Sequence, residues 1–93
     1  MKTSDFNLSI HDTCADVGRF TVEGQAPGPL QLARLAEQAR GCFDRTMLSE
    51  NLGVLYLILG GITVHLHRDG GIVVNRVETI EEAKKILSPL FGD

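Results

Sequence analysis

Tryptophan is missing from this chain, and aromatic residues make up only 5% of its 93 positions. A core without large rings has to be aliphatic, built from Val, Leu and Ile. Cysteine is almost as scarce. Cys14 and Cys42 are the only two, and their wide separation excludes the CxxC spacing of a zinc ribbon or a dithiol redox pair. The opening MKTSDFNLSI lacks an apolar leader core, so both thiols are expected to be free in a reducing compartment and the chain to be cytoplasmic. No apolar run approaches the roughly 20 residues that cross a bilayer, so no membrane association is expected.

Positive charge is in deficit as well. Nine Lys and Arg stand against twelve Asp and Glu, a formal net charge of −3, and the cations are scattered. That pattern argues against a basic stripe that tracks phosphates, which leaves nucleic-acid binding as a lesser alternative. No glycine-rich phosphate loop follows a strand and opens a helix. Asp12, Asp16, Asp44 and Asp69 are dispersed turn acids. No nucleophile, base and orienting group assemble, so the expectation is a non-enzyme without a cofactor.

What is present is a run of strand signals. Gly53 to Val77, GVLYLILGGITVHLHRDGGIVVNRV, reads as three strands separated by Gly60-Gly61 and Asp69-Gly70-Gly71. Both breaks are turn chemistry, because tight hairpin loops need the positive φ that glycine adopts freely. A two-residue loop at Gly60-Gly61 sets Leu59 opposite Ile62, Leu57 opposite Val64 and Leu55 opposite Leu66. One face is then wholly aliphatic. The other carries Val54, Tyr56, Ile58, Thr63, His65 and His67. If Asp69-Gly70 is the second loop, Ile72, Val74 and Arg76 join the histidines. A shift of one exchanges them for Val73, Asn75 and Val77.

Upstream, Phe6, Leu8 and Ile10 alternate with polar residues as a strand, and a second strand is expected over about Val17 to Glu23. These form an opening hairpin, or residues 1 to 12 are an arm that pairs with a neighbouring chain. After the connector GQAPGP, where Pro29 suits a first helical turn, Leu32, Leu35, Ala36 and Ala39 recur at helical spacing and Gly41 is placed to cap them. Cys42 to Asn51 is read as loop, with Phe43, Met47 and Leu48 packed beneath it. Thr79 and Glu82 form a capping-box signature ahead of a stripe of Ile80, Ala83, Ile86, Leu87 and Leu90, and Pro89 limits that helix to two or three turns.

The expected architecture is one α+β domain over residues 1–93, with 1–5 at the margin of order. Its order is β-β-α-β-β-β-α, an antiparallel sheet of four or five strands with two helices on one face. The opposite face, with Val54, Tyr56, Ile58, His65 and His67, carries too much apolar surface to be comfortably wet. It is expected to bind a protein partner or a second copy, most simply as a homodimer. The alternative is a small-ligand or metal-binding protein, with His65 and His67 leaving one strand face and His11 and Cys14 as the remaining soft donors.

Two passages carry a family likeness. Ala15-Asp16-Val17-Gly18-Arg19-Phe20, and the glycine-turned hairpin running into Glu81-Glu82-Ala83 and Leu87, resemble a small α+β domain of anaerobic microbes. That domain precedes a cysteine-rich double four-iron cluster domain in electron-transfer proteins. The resemblance implies an accessory domain linked to redox proteins, and the cluster cysteines of that family have no counterpart here. The layout is also similar to half of the saddle-shaped TATA-binding fold, a likeness of fold that does not by itself imply DNA binding.

Overall fold

A computed structural model of the protein describes residues 5–11 and 20–91, with His11 described by its backbone alone. Cys14, the turn expected over Asp12 to Asp16 and the start of the expected second strand lie outside the described residues. In chain order the elements are β1 (Ser9–His11), β2 (Phe20–Gln25), α1 (Leu32–Ala39), β3 (Arg45–Ser49), β4 (Val54–Leu59), β5 (Ile62–His67), β6 (Gly71–Val77) and α2 (Ile80–Phe91). Among the described residues the sheet has six strands, not four or five, in the order β1-β2-β6-β5-β4-β3, and every neighbouring pair is antiparallel.

The additional strand is β3, where the sequence reads as loop. Thr46 and Leu48 alternate there with Arg45, Met47 and Ser49, a pattern with too few apolar residues to announce a strand. Pairing decides it: the five residues align with Ile58 to Val54 of β4, so the edge of the β4–β5 hairpin holds a segment of weak propensity as a strand. β1 pairs with β2 inside the chain, which selects the hairpin over the exchanged arm.

The β4–β5 register agrees with expectation, from Leu59 opposite Ile62 to Val54 opposite His67. Gly60 supplies the tight loop with φ 61°, as the first position of a type II′ turn requires. The β5–β6 loop is one residue longer than Asp69-Gly70. The Gly70 N–H donates to the His67 carbonyl at 2.9 Å, Gly70 takes φ 106°, and the Gly71 N–H donates to Asp69 Oδ1 at 3.0 Å. Arg68, Asp69 and Gly70 thus form a three-residue loop. The extra residue moves the register by one, setting His65 opposite Val73 and Thr63 opposite Asn75.

A second irregularity rescues the end of β6. Phe20 pairs with Val77 but Thr21 pairs with Asn75, so Arg76 is an extra residue, a bulge with φ 70°. Without it, strict alternation would drive the guanidinium into the core. With it, Arg76 is exposed and Val77 returns to the covered face, fully buried with Val74.

Both helices pack on that covered face. Leu32, Leu35 and Ala39 of α1 and Ala83, Ile86, Leu87 and Leu90 of α2 join Val22, Leu55, Leu57, Val64, Leu66, Ile72 and Val74 in one aliphatic core. Phe6 reaches over α2 to Phe91, ring edge to face at 4.8 Å. The start of α2 is fastened as its sequence suggests: the Thr79 hydroxyl accepts from the Glu82 N–H at 3.0 Å. The Glu82 carboxylate accepts from the N–H of Glu78 at 2.8 Å, a residue earlier than a capping box places it. Pro89 lies inside α2 rather than ending it. It stands on the exposed side within the last turn, where the lost N–H costs least. Pro29 does not enter α1, which begins at Leu32 without a side-chain cap.

Candidate functional site

Among the described residues no helix lies on the second face of the sheet. Register places its residues in rows that cross all six strands. One row runs Ser9, Glu23, Val73, His65, Tyr56 and Met47. The next runs from His11 of β1 through Thr21, Asn75, Thr63 and Ile58 to Arg45. His67, Val54 and Ser49 begin a third at one end.

The centre of this face is uncharged at neutral pH and only partly wet. Tyr56 and His65 face each other across β4 and β5 with ring centroids 4.8 Å apart and planes at 74°, an edge-to-face contact of the favourable kind. Beside them a polar chain crosses three strands. The Thr21 hydroxyl donates to Asn75 Oδ1 at 3.0 Å, and Asn75 Nδ2 donates to Thr63 Oγ1 at 3.3 Å. This chain explains the register: Asn75 finds partners here that an aliphatic core would deny it. Glu23 and Arg45 are exposed near opposite margins, four strand spacings apart or about 19 Å.

His65 is held below its ordinary pKa, first because partial burial disfavours the imidazolium and then because His67 adds like-charge repulsion. His65, beside Tyr56, can therefore stay neutral and present a stacking edge and hydrogen-bonding nitrogens to a neighbour.

Of the sequence-predicted residues, Tyr56, Ile58, His65 and His67 do share this face and are all half-buried. Val54 does not contribute as expected. At 7% exposure it lies between its register partners Ser49 and His67 at the sheet's end and offers little to a partner. The metal set is not brought together. His11 is on β1, three strand spacings from β5, or about 14 Å, and Cys14 is outside the described residues. Among the described residues no group of three His, Cys, Asp or Glu is placed to hold a metal ion.

Met47, expected to pack beneath a loop, instead stands exposed on β3, and nothing in the sequence assigns Thr21, Asn75 and Thr63 a joint role. The alternation of Thr46 and Leu48 was the available signal for the first. For the others nothing local exists, since hydrogen bonds between residues 54 positions apart depend on strand order. On the helix side, two shallow clefts of about 320 Å³ and 470 Å³ flank the start of α1, and neither is lined by a histidine or a cysteine. Among the described residues no helix is long and apolar enough to cross a membrane. Compared with family models, with curated proteins and with solved structures, the chain matches none of them.

Proposed function

We propose that the protein is a non-catalytic interaction domain, acting in the cytoplasm, whose open sheet face is covered by a protein partner. One observation carries this reading: among the described residues a six-stranded sheet buries one face under two helices and leaves the other without cover, and the uncovered centre is Tyr56, Ile58, Val73 and His65 rather than charge. Protein surfaces that bind other proteins combine such an aromatic and aliphatic centre with a charged margin, here Glu23 and Arg45. The resemblance to domains that accompany electron-transfer proteins favours a redox protein as that partner.

Site-specific photo-crosslinking in the native host tests the proposal. A photoreactive residue at Thr63 or Val73 is expected to yield one discrete protein adduct, and the same group at Lys85 on α2 none. Adducts only from the helix side, or none from either, would reject the open face as the docking surface. The ligand-binding alternative has its own test in elemental analysis of protein purified without chelator or tag. Stoichiometric zinc, iron or copper, lost in a His65→Ala/His67→Ala double variant, would replace the interaction reading with a metal-binding one.

A further inference from the structure

We infer that the protein also self-associates, by antiparallel pairing of β3 with the β3 of a second copy into one continuous twelve-stranded sheet. This adds a second contact to the open-face reading and rests on a different part of the molecule, the edge of the sheet.

Exposed apolar side chains gather toward the edges of the sheet. Among the described residues three large ones stand exposed: Ile10 at 44%, Met47 at 49% and Leu52 at 72%. Met47 is the centre of β3 and Leu52 lies in the turn that follows it. β3 is an edge strand, and edge strands present unpaired backbone groups that invite another strand unless something blunts them. Here the strand's one charge, Arg45, stands at its end and leaves the centre unguarded. Arg45–Ser49 contains no proline, no lysine and no charge pointing into the core. The opposite edge, β1, has only three residues.

The backbone then specifies the pairing. The two-residue loop makes Leu59 and Ile62 a hydrogen-bonded pair, so Leu55, Leu57 and Leu59 direct their backbone groups to β5, and Val54, Tyr56 and Ile58 direct theirs to β3. Their register partners Ser49, Met47 and Arg45 are engaged in turn, which leaves the N–H and C=O of Thr46 and Leu48 facing outward. An antiparallel second copy with its two-fold axis at Met47 uses all five residues of β3. Thr46 exchanges two hydrogen bonds with Leu48 of the second copy, and Leu48 exchanges two with its Thr46, four in all. Met47 meets Met47 across the axis, both on the open face.

Charge fits the same register. Arg45 lies at one end of β3 and Glu50 just past the other, so pairing brings each arginine to the end that holds the second copy's glutamate. Asp44, the acid nearest Arg45, is already committed to the Gly60 N–H at 2.8 Å. Leu52 arrives beside the segment containing Cys42 and Phe43. Both helical layers stay on one side, and the two open faces join into a single surface.

Sedimentation equilibrium from low to high micromolar concentration tests this with four proteins. The unmodified chain is expected to dimerise. Thr46→Pro removes an outward donor, which an edge strand tolerates in the monomer, and is expected to weaken the dimer by about tenfold or more. Met47→Lys sets two ammonium groups at the axis and is expected to leave monomer. Val73→Lys, at the centre of the open face and three strands away, is expected to leave the dimer intact. Circular dichroism confirms that each variant folds.

A direct readout of register accompanies these. With Cys14 and Cys42 replaced by serine, Met47→Cys puts two thiols at a pair whose Cα atoms are about 4.5 Å apart, inside the range a disulfide spans. It is expected to cross-link under mild oxidation where Arg45→Cys does not. A monomer at every concentration overturns the pairing and leaves the edge to a strand from another protein. A dimer that survives both β3 changes but fails with Val73→Lys also overturns it, and moves self-association to the open face.

Discussion

Leu57 and Ile58 are neighbours on β4, yet they live in different solvents. Leu57 points under the helices and is fully buried. Ile58 points to the open face and is only half-buried, although the two side chains are isomers of nearly equal hydrophobicity. The same division runs through the sheet: Val64 against His65, Val74 against Asn75, Val22 against Thr21. The covered face holds aliphatic residues almost alone, as a core closed off by α1 and α2 must. The open face mixes Tyr56, His65 and His67 with Ile58, Val73 and a hydrogen-bonded polar chain. The first composition suits permanent burial. The second tolerates water and would still gain from being covered.

The sharpest way to break this contrast is to shorten both neighbours in turn. Leu57→Ala should lower the unfolding free energy by about 2–5 kcal/mol, the usual cost of a cavity in a closed core. Ile58→Ala should cost no more than about 1.5 kcal/mol, because part of its surface is already wet. Urea denaturation of the isolated monomer reads both. Equal losses would mean that the two faces are not distinct.

A smaller effect tests how the cover is attached. Thr79→Ala removes the hydroxyl that accepts from the Glu82 N–H and is expected to cost about 1 kcal/mol. Hydrogen exchange should rise at the start of α2 and stay unchanged in β5. Increased exchange throughout the sheet would show that the cap supports the whole core rather than its own helix.

On the open face, Asn75→Ala removes the middle of the Thr21–Asn75–Thr63 chain. The expected loss is about 1 kcal/mol or less, since water can reach the groups left behind. A gain in stability would show that the polar chain is a cost retained for recognition, and a loss as large as that of Leu57→Ala would show that it holds the sheet together.

The smallest effect is with pH. Partial burial and then His67 hold the His65 pKa down, so the unfolded chain takes up that proton first. The stability that neutral His65 contributes is fully present above its reference value of about 6.5 and is lost as pH falls through the folded-state value. The groups facing it are His67 on its own strand and Tyr56 on β4, with Glu23 and Arg45 toward the margins. The shift in midpoint should be slight because much of the imidazole reaches water. Thermal unfolding at about pH 7.5 and about pH 5.5, on either side of the reference value, should show a smaller decline for His65→Gln than for the unmodified chain. No difference between them would remove His65 from any pH response.

By itself the sequence determined the elements whose period is strong: the amphipathic α1, the capped start of α2, and the hairpin in which Gly60-Gly61 sets Leu55, Leu57 and Leu59 against Ile62, Val64 and Leu66. These depend on local chemistry, on apolar spacing and on residues that allow a particular φ, and both are written in adjacent letters. It also placed Tyr56, Ile58, His65 and His67 on one face, because alternation along two strands and one tight loop suffices for that. Tertiary structure alone decided the rest. Arg45–Ser49 becomes a strand because β4 offers it an edge, and Val54 is buried where the sheet ends. One additional loop residue at Arg68–Gly70 turns Val73 and Asn75 to the open face, and the bulge at Arg76 returns Val77 to the core. Each of these depends on backbone pairing between distant segments, and pairing energy is shared along a strand rather than encoded in any residue of it.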